Sequence, residues 1–190
     1  MVLSNNVIYL KKLTMRYAKD FKQLFNDPTI TRYTSIPYPL TGTWIRDYIT
    51  TSMEKYDSKE KLTWGIFKTD IKKFVGVGVI KDIDYKNKVG KLGYSVGKHY
   101  WNRGYTLMAV RLILKYAFEE LDLNRIEVRI APDDEKSIKL LEILGGEKEG
   151  EMRKAFCYNN SFSDVYLYSI LKKEYLERLK VFIENHPYIC

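Results

Sequence analysis

The residues best suited to chemistry lie in Gly93-Tyr94-Ser95-Val96-Gly97-Lys98-His99-Tyr100-Trp101-Asn102-Arg103-Gly104-Tyr105-Thr106. Leu107, Val110, Leu114, Ala117, Phe118 and Leu121 follow at helical spacing. Trp101 to Thr106 is therefore expected to turn into a helix whose first amides lack intrahelical partners. Such amides bind anions. The helix dipole adds partial positive charge, Gly104 has no side chain to hold a phosphate away, and Arg103 brings a full charge beside them. A diphosphate suits this arrangement, although the same residues also make an ordinary strand-to-helix turn.

Other chemistries lack their residues. A P-loop needs Gly at position 92 and Ser or Thr after Lys98, where the chain has Leu92 and His99, and no G-x-G-x-x-G opens a helix. His99 and His186, the only histidines, stand outside any metal-ligand spacing and read as surface or packing residues, so no metal is expected. Cys157 and Cys190 form no C-x-x-C and suit a reducing cytosol.

The formal net charge of +8 favours anionic ligands. Lys and Arg are scattered rather than striped, which argues against a nucleic-acid footprint. With no charged-then-apolar leader pattern in Met1 to Lys12 and no run of membrane-spanning length, a cytoplasmic protein without membrane contact is expected.

The elements that must position the segment follow from periodicity. Strands are expected at 7–13, 64–68, 74–81, 89–96 and 125–130, with a closing hairpin of 152–158 and 165–171 around Asn159-Asn160. Helices are expected at 17–25, 41–56, 104–121, 133–144 and 173–185, with Gly145-Gly146 stopping the fourth. Pro37 and Pro39 should hold the early connection extended, a place for a substrate wall. Gly76 and Gly78 leave one strand face bare, open to a packing helix or a ligand. Strand, helix, strand over 89–130 implies a parallel crossover. The sum is one mixed α/β (α+β) domain over 1–190 with an antiparallel first half.

From about residue 7 to 175 the chain resembles the GNAT acetyltransferase superfamily, in its RimJ/RimL-type branch. The resemblance rests on Gly93-Tyr94, Tyr100 to Tyr105, Tyr116 to Leu121, Asn124 to Glu127, Ser137 to Gly145 and Asp164 to Tyr168, with Asn26-Asp27-Pro28 and Tyr33 near the start. It implies an acyl-CoA N-acyltransferase fold with a splayed parallel strand pair, acetyl-CoA as co-substrate, and direct attack of an amine on the thioester. Cys157 is then no nucleophile. The coenzyme loop Q/R-x-x-G-x-G/A falls on Trp101, Asn102, Arg103, Gly104, Tyr105 and Thr106. The motif N-x-x-S/A-x-x-x-Y falls on Asp134, Ser137 and Leu141. Asn102 replaces a usual Gly, Met108 a usual Glu, and Leu141 a tyrosine that relatives use as acid.

By the same resemblance, backbone N–H groups near Val96 polarise the acetyl carbonyl. Ser137 faces the thiol, with Tyr94 as second choice for the acid. The base stays open among Glu127, Asp82, Asp84 and a water route. The acceptor expected is a protein N-terminus, with a polyamine, amino sugar or antibiotic as alternatives; a coenzyme-binding protein without catalysis is a further one. A homodimer through the tyrosine-rich end strand is compatible with the pattern.

Overall fold

Among the described residues the chain forms eight strands, β1 (Val2–Ser4), β2 (Ile8–Lys12), β3 (Leu62–Lys68), β4 (Phe74–Asp84), β5 (Val89–Val96), β6 (Arg125–Ile130), β7 (Glu147–Tyr158) and β8 (Ser161–Leu171), the last seven at the alternating segments read in the sequence. In the computed structural model they form one sheet in the order β1-β2-β3-β4-β5-β6-β8-β7. Residues 2–158 and 160–185 are described, the side chains of 179–185 excepted; His186, Cys190 and Asn159 lie outside the described residues. Neighbouring strands run antiparallel except β5 and β6, which run parallel across the helical crossover between them.

Among the described residues six α-helices cover the sheet: α1 (Ala18–Phe25), α2 (Pro28–Thr31), α3 (Gly42–Asp57), α4 (Tyr105–Lys115), α5 (Glu135–Ile143) and α6 (Lys172–Asn185). Ala109 and Ile113 of α4, Leu141 of α5 and Tyr175 of α6 share one core with Leu92, Ile126, Val128 and Ile130. On the opposite face Phe21, Phe25, Ile30, Ile45 and Ile49 of α1–α3 pack on Phe67, Phe74 and Val77. That second core takes its buried sheet residues from β3 and β4, so α1–α3 shield the N-terminal half of their face.

Several elements depart from the sequence reading. β1 precedes the expected first strand; three residues are too few for alternation to register. The proline that ends α1 also starts α2, because Pro fits the first helical turn and Asp27 caps it through the Thr29 N–H. The connection after α2 does not run extended. It turns at 32–35 and bends at Tyr38–Pro39, whose peptide is cis. The helix expected over 104–121 ends as α-helix at Lys115 and widens into a π turn, Tyr116–Glu120, with Leu121 N–H bonded to the Tyr116 carbonyl. β7 begins at Glu147, earlier than expected, since its residues lie at an exposed edge and carry little apolar signal.

Gly76 and Gly78 leave room for α4 and for neighbouring backbone. A Cβ at Gly78 would stand 2.4 Å from Ile113 Cδ1, and one at Gly76 2.5 Å from the Ser95 carbonyl oxygen. Of the two readings open in the sequence, the packing helix is the one observed.

Candidate active site

The parallel pair β5/β6 is joined over Val89–Lys91 and Arg125–Glu127 alone. Beyond it, β5 stays paired to β4 as far as Val96, and β6 to β8 as far as Ile130. The two strands therefore part, and a wedge opens between Leu92–Val96 and Val128–Ile130. The phase of the ladder fixes what faces it. Gly97 N–H donates to the Val75 carbonyl, so the alternate residues Leu92, Tyr94 and Val96 turn their N–H and C=O groups away from β4; the Leu92 N–H closes the last rung to β6, and the Leu92 carbonyl and the groups of Tyr94 and Val96 face the wedge.

At the wide end of the wedge α4 begins. Asp27, Thr41 and Asp134 cap α2, α3 and α5 with their side chains, whereas Gly104, at φ 75°, has none to offer α4, whose first turn contains no acid. The first α-helical bond runs from Met108 N–H to the Gly104 carbonyl, which leaves the amides of Tyr105, Thr106 and Leu107 for a ligand. Asn102 is also left-handed, at φ 59°. Asparagine tolerates that region better than other residues with a side chain, which explains how it can stand where a glycine is usual.

Each side chain of the loop has its own task. Trp101 Nε1–H donates to the Val96 carbonyl at 2.7 Å and ties loop to strand, while Lys136 sits 4.7 Å above its ring. Val96 thus keeps only its N–H for the wedge. Tyr105 is buried against Tyr100, so it can offer a ligand its amide rather than its ring. Arg103 and His99 are exposed and Thr106 is half-buried.

Tyr94 and Ser137, far apart in sequence, come together between β5 and the first turn of α5. The Ser137 N–H is held by Asp134 Oδ1 at 3.1 Å, which gives Asp134 a capping role. The Tyr94 hydroxyl is buried, with Ser137 the polar side chain beside it. Burial pushes its phenol well above the ordinary range; Ser137 relieves part of that shift and Asp134 adds to it. Leu141, one turn further along α5, is fully buried in the core.

Glu127 points to the other face, since Ile126 and Val128 on either side enter the core beneath α4. It stands where the strands begin to part and accepts from Arg125 Nε at 3.0 Å. Arg125 also forks onto Glu149, whose carboxyl the Arg125 and Ser169 hydrogen bonds lower to about 2. Asp82 is paired with Lys91, which lowers its pKa, and Asp84 is bound by Asn87 in the β4–β5 turn, so both are committed elsewhere.

A wall of the opening escaped the sequence reading. Arg32 and Tyr33 reach Asp133, and Thr31 Oγ1 lies 3.0 Å from Tyr158 Oη, drawing the segment after α2 across to the start of α5 and the tip of β7. Only the prolines hinted at such a wall; partners about a hundred residues apart leave no local signal.

The model of the family described as the acetyltransferase (GNAT) domain matches residues 8–147. At 31% identity over 166 residues, 87% of this chain and 93% of the relative, the chain is similar to the uncharacterized N-acetyltransferase p20 of Bacillus licheniformis. Its backbone is similar to RimL, a ribosomal alpha-N-protein acetyltransferase solved with coenzyme A (TM-score 0.83, 16% identity, 90% of this chain and 98% of that one). It is likewise similar to spermidine N-acetyltransferase from Vibrio cholerae, solved with CoA and spermine (TM-score 0.79, 20% identity, 90% and 99%).

Proposed function

Because the chain belongs to the GNAT acetyltransferase family and is an acetyl-CoA-dependent N-acetyltransferase, we propose that it acetylates the N-terminal α-amine of a protein in the cytoplasm. One observation carries the reading: the open backbone edge of β5 leads straight to an uncapped helix start.

The residues present fit acetyl-CoA. The amides from Arg103 to Thr106 would hold the pyrophosphate with the Arg103 charge beside them, and the Leu92 carbonyl with the free groups of Tyr94 and Val96 would run along the pantetheine arm. Trp101 and Asn102 shape the loop, and Asp134 orients the first turn of α5. Acetyl-CoA supplies the thioester carbon that an amine attacks. The Val96 N–H, fixed by the ladder, is placed to polarise the carbonyl as negative charge develops on its oxygen. Ser137 and Tyr94 stand on the side of the sheet shared with α5, and Glu127 on the side from which an acceptor enters. Glu127, oriented by its hydrogen bond from Arg125, takes the proton of the attacking amine, directly or through water.

A protein acceptor is favoured by charge. The chain carries +8 overall, and carboxylates around the opening are engaged: Asp133 with Arg32, Glu127 and Glu149 with Arg125. A polycation is weakly attracted there, whereas a single α-amine needs no acidic cluster. The likeness to RimL supports the same class. Polyamine acetylation is the second reading, supported by the likeness to spermidine N-acetyltransferase. Calorimetry with acetyl-CoA followed by a thiol-release screen tests both. Turnover on peptides with free N-termini and little on spermidine is expected; the reverse would replace the leading acceptor, and no acetyl-CoA binding would overturn the reading.

A further inference from the structure

On the protein-acceptor reading above, we infer that the acceptor's N-terminal segment is acidic, and that Arg129 on β6, Lys81 on β4 and Lys61 beside β3 read it. The starting point is a charge imbalance. α1–α3 take their buried sheet residues from β3 and β4, which leaves the same face of β5, β6 and β8 open. On that open face the carboxylates are answered: Asp82 by Lys91, and Glu127 and Glu149 by Arg125. Lys61, Lys81 and Arg129 have no ion pair among the described residues, although the Lys61 ammonium lies 4.6 Å above the Tyr48 ring.

These cations are gathered, not scattered. The Asp82 carboxyl is lowered first by its Lys91 hydrogen bond and then, against burial, by the charges of Lys91, Lys81 and Arg129, so three cations surround one carboxylate that pairs with Lys91. Lys81 stands directly opposite Lys91 in the β4/β5 ladder. Lys61, one residue ahead of the Leu62–Ile80 pair, continues the row on the other side of Lys81. Like charges at opposed positions of a sheet repel. After burial, the charges of Lys81 and Lys55 are what lower the Lys61 pKa, and they outweigh Asp82, which acts the other way. An anionic partner removes that repulsion.

Placement ties the cluster to the reaction. Arg129 is two residues beyond Glu127 and shares its face, beside the stretch where β6 has left β5. Lys81 lies two strands across, at about 10 Å, which an extended peptide covers in about three residues. An amine entering the wedge at Glu127 therefore brings the second or third residue of its chain to Arg129. Residues about three or four places further along reach the groove lined by Lys61, Lys81, Asp82 and Tyr85. Carboxylates at those places would meet unanswered cations, and lysines there would meet like charge.

The test uses the whole chain, acetyl-CoA and peptides that begin with Ala and differ only in carrying Asp and Glu, Asn and Gln, or Lys over the second to seventh residues. The acidic peptide should be favoured over its amide counterpart about tenfold in kcat/KM at low salt, since each exposed ion pair is worth a few-fold. The preference should vanish at about 1 M salt, where screening is nearly complete. Arg129→Gln should remove about threefold of it for acids at the second and third residues, and Lys61→Gln with Lys81→Gln a similar factor for acids further along, with turnover of the amide peptide within about twofold of wild type. Arg129→Glu should turn the preference at the second and third residues toward Lys, a reversal that damage to the sheet would not produce. Equal rates on acidic and amide peptides in the wild type, or a preference that Arg129→Glu does not shift, would overturn the inference and leave the proposed function standing. Turnover of spermidine with none of any peptide would instead overturn the protein-acceptor reading itself.

Discussion

Gly104 shows how much of the proposed coenzyme site depends on one φ angle. At +75° an L-residue is strained by ~1–2 kcal/mol, while the space for a Cβ is ordinary, the nearest atom being Met108 Cε at 3.5 Å. Gly104→Ala should therefore lose about that much stability, measured by urea unfolding, through strain alone. Gly104→Glu adds a carboxylate beside the amides offered to phosphate and should abolish acetyl-CoA binding in calorimetry while the domain still folds. Unchanged affinity in that folded variant would remove the site. Asn102 occupies the same left-handed region at a smaller cost, so its departure from the usual Gly is compatible with a working loop.

Between elements, the decisive contacts are close approaches that side chains would prevent. β4 carries glycine at 76 and 78 so that α4 and the β5 backbone can come in. A Cβ at Gly76 would meet a main-chain oxygen at 2.5 Å, and backbone cannot swing aside as a side-chain end can. Gly76→Ala should cost about 1–3 kcal/mol by overpacking. Gly42, where a Cβ meets nothing within 4 Å, supplies the control, and Gly42→Ala should be neutral or mildly stabilising. Thermal unfolding of the two variants checks the contrast; equal stability would mean that β4 and β5 adjust more freely than their register implies.

Across the whole molecule, charged contacts join strands that the cores do not. Arg125 links β6 to Glu149 of β7, and Lys172 and Lys88 converge on Asp122. Hydrogen bonds from these cations lower Glu149 and Asp122 each to about 2, from ordinary values of 4.5 and 3.8. A carboxyl whose folded pKa lies below its unfolded one stabilises the fold above the unfolded value. That contribution is lost as pH falls toward the folded value. Stability should thus decline between about pH 4.5 and 2. Glu149→Gln should be less stable than the wild type at pH 7, with the gap closing toward pH 2 and shrinking in high salt, because the pair is partly exposed. A gap independent of pH would show that the carboxylate charge is not what matters.

Sequence alone determined the local part of this protein. The 2.0 and 3.6 periods marked most of the strands and helices, Gly145-Gly146 marked the stop of α5, and the strand-to-helix segment at 93–106 pointed to an anion site, because turns, caps and amphipathic faces are set by near neighbours. Tertiary structure decided what depends on distance. It joined Tyr94 to Ser137, spent Asp134 on a cap, turned Glu127 to the opposite face, brought Arg32 across to Asp133 and used the bare face of β4 for α4. Register, strand divergence and contacts between residues a hundred positions apart come from packing the whole sheet at once, and no window of sequence contains that constraint.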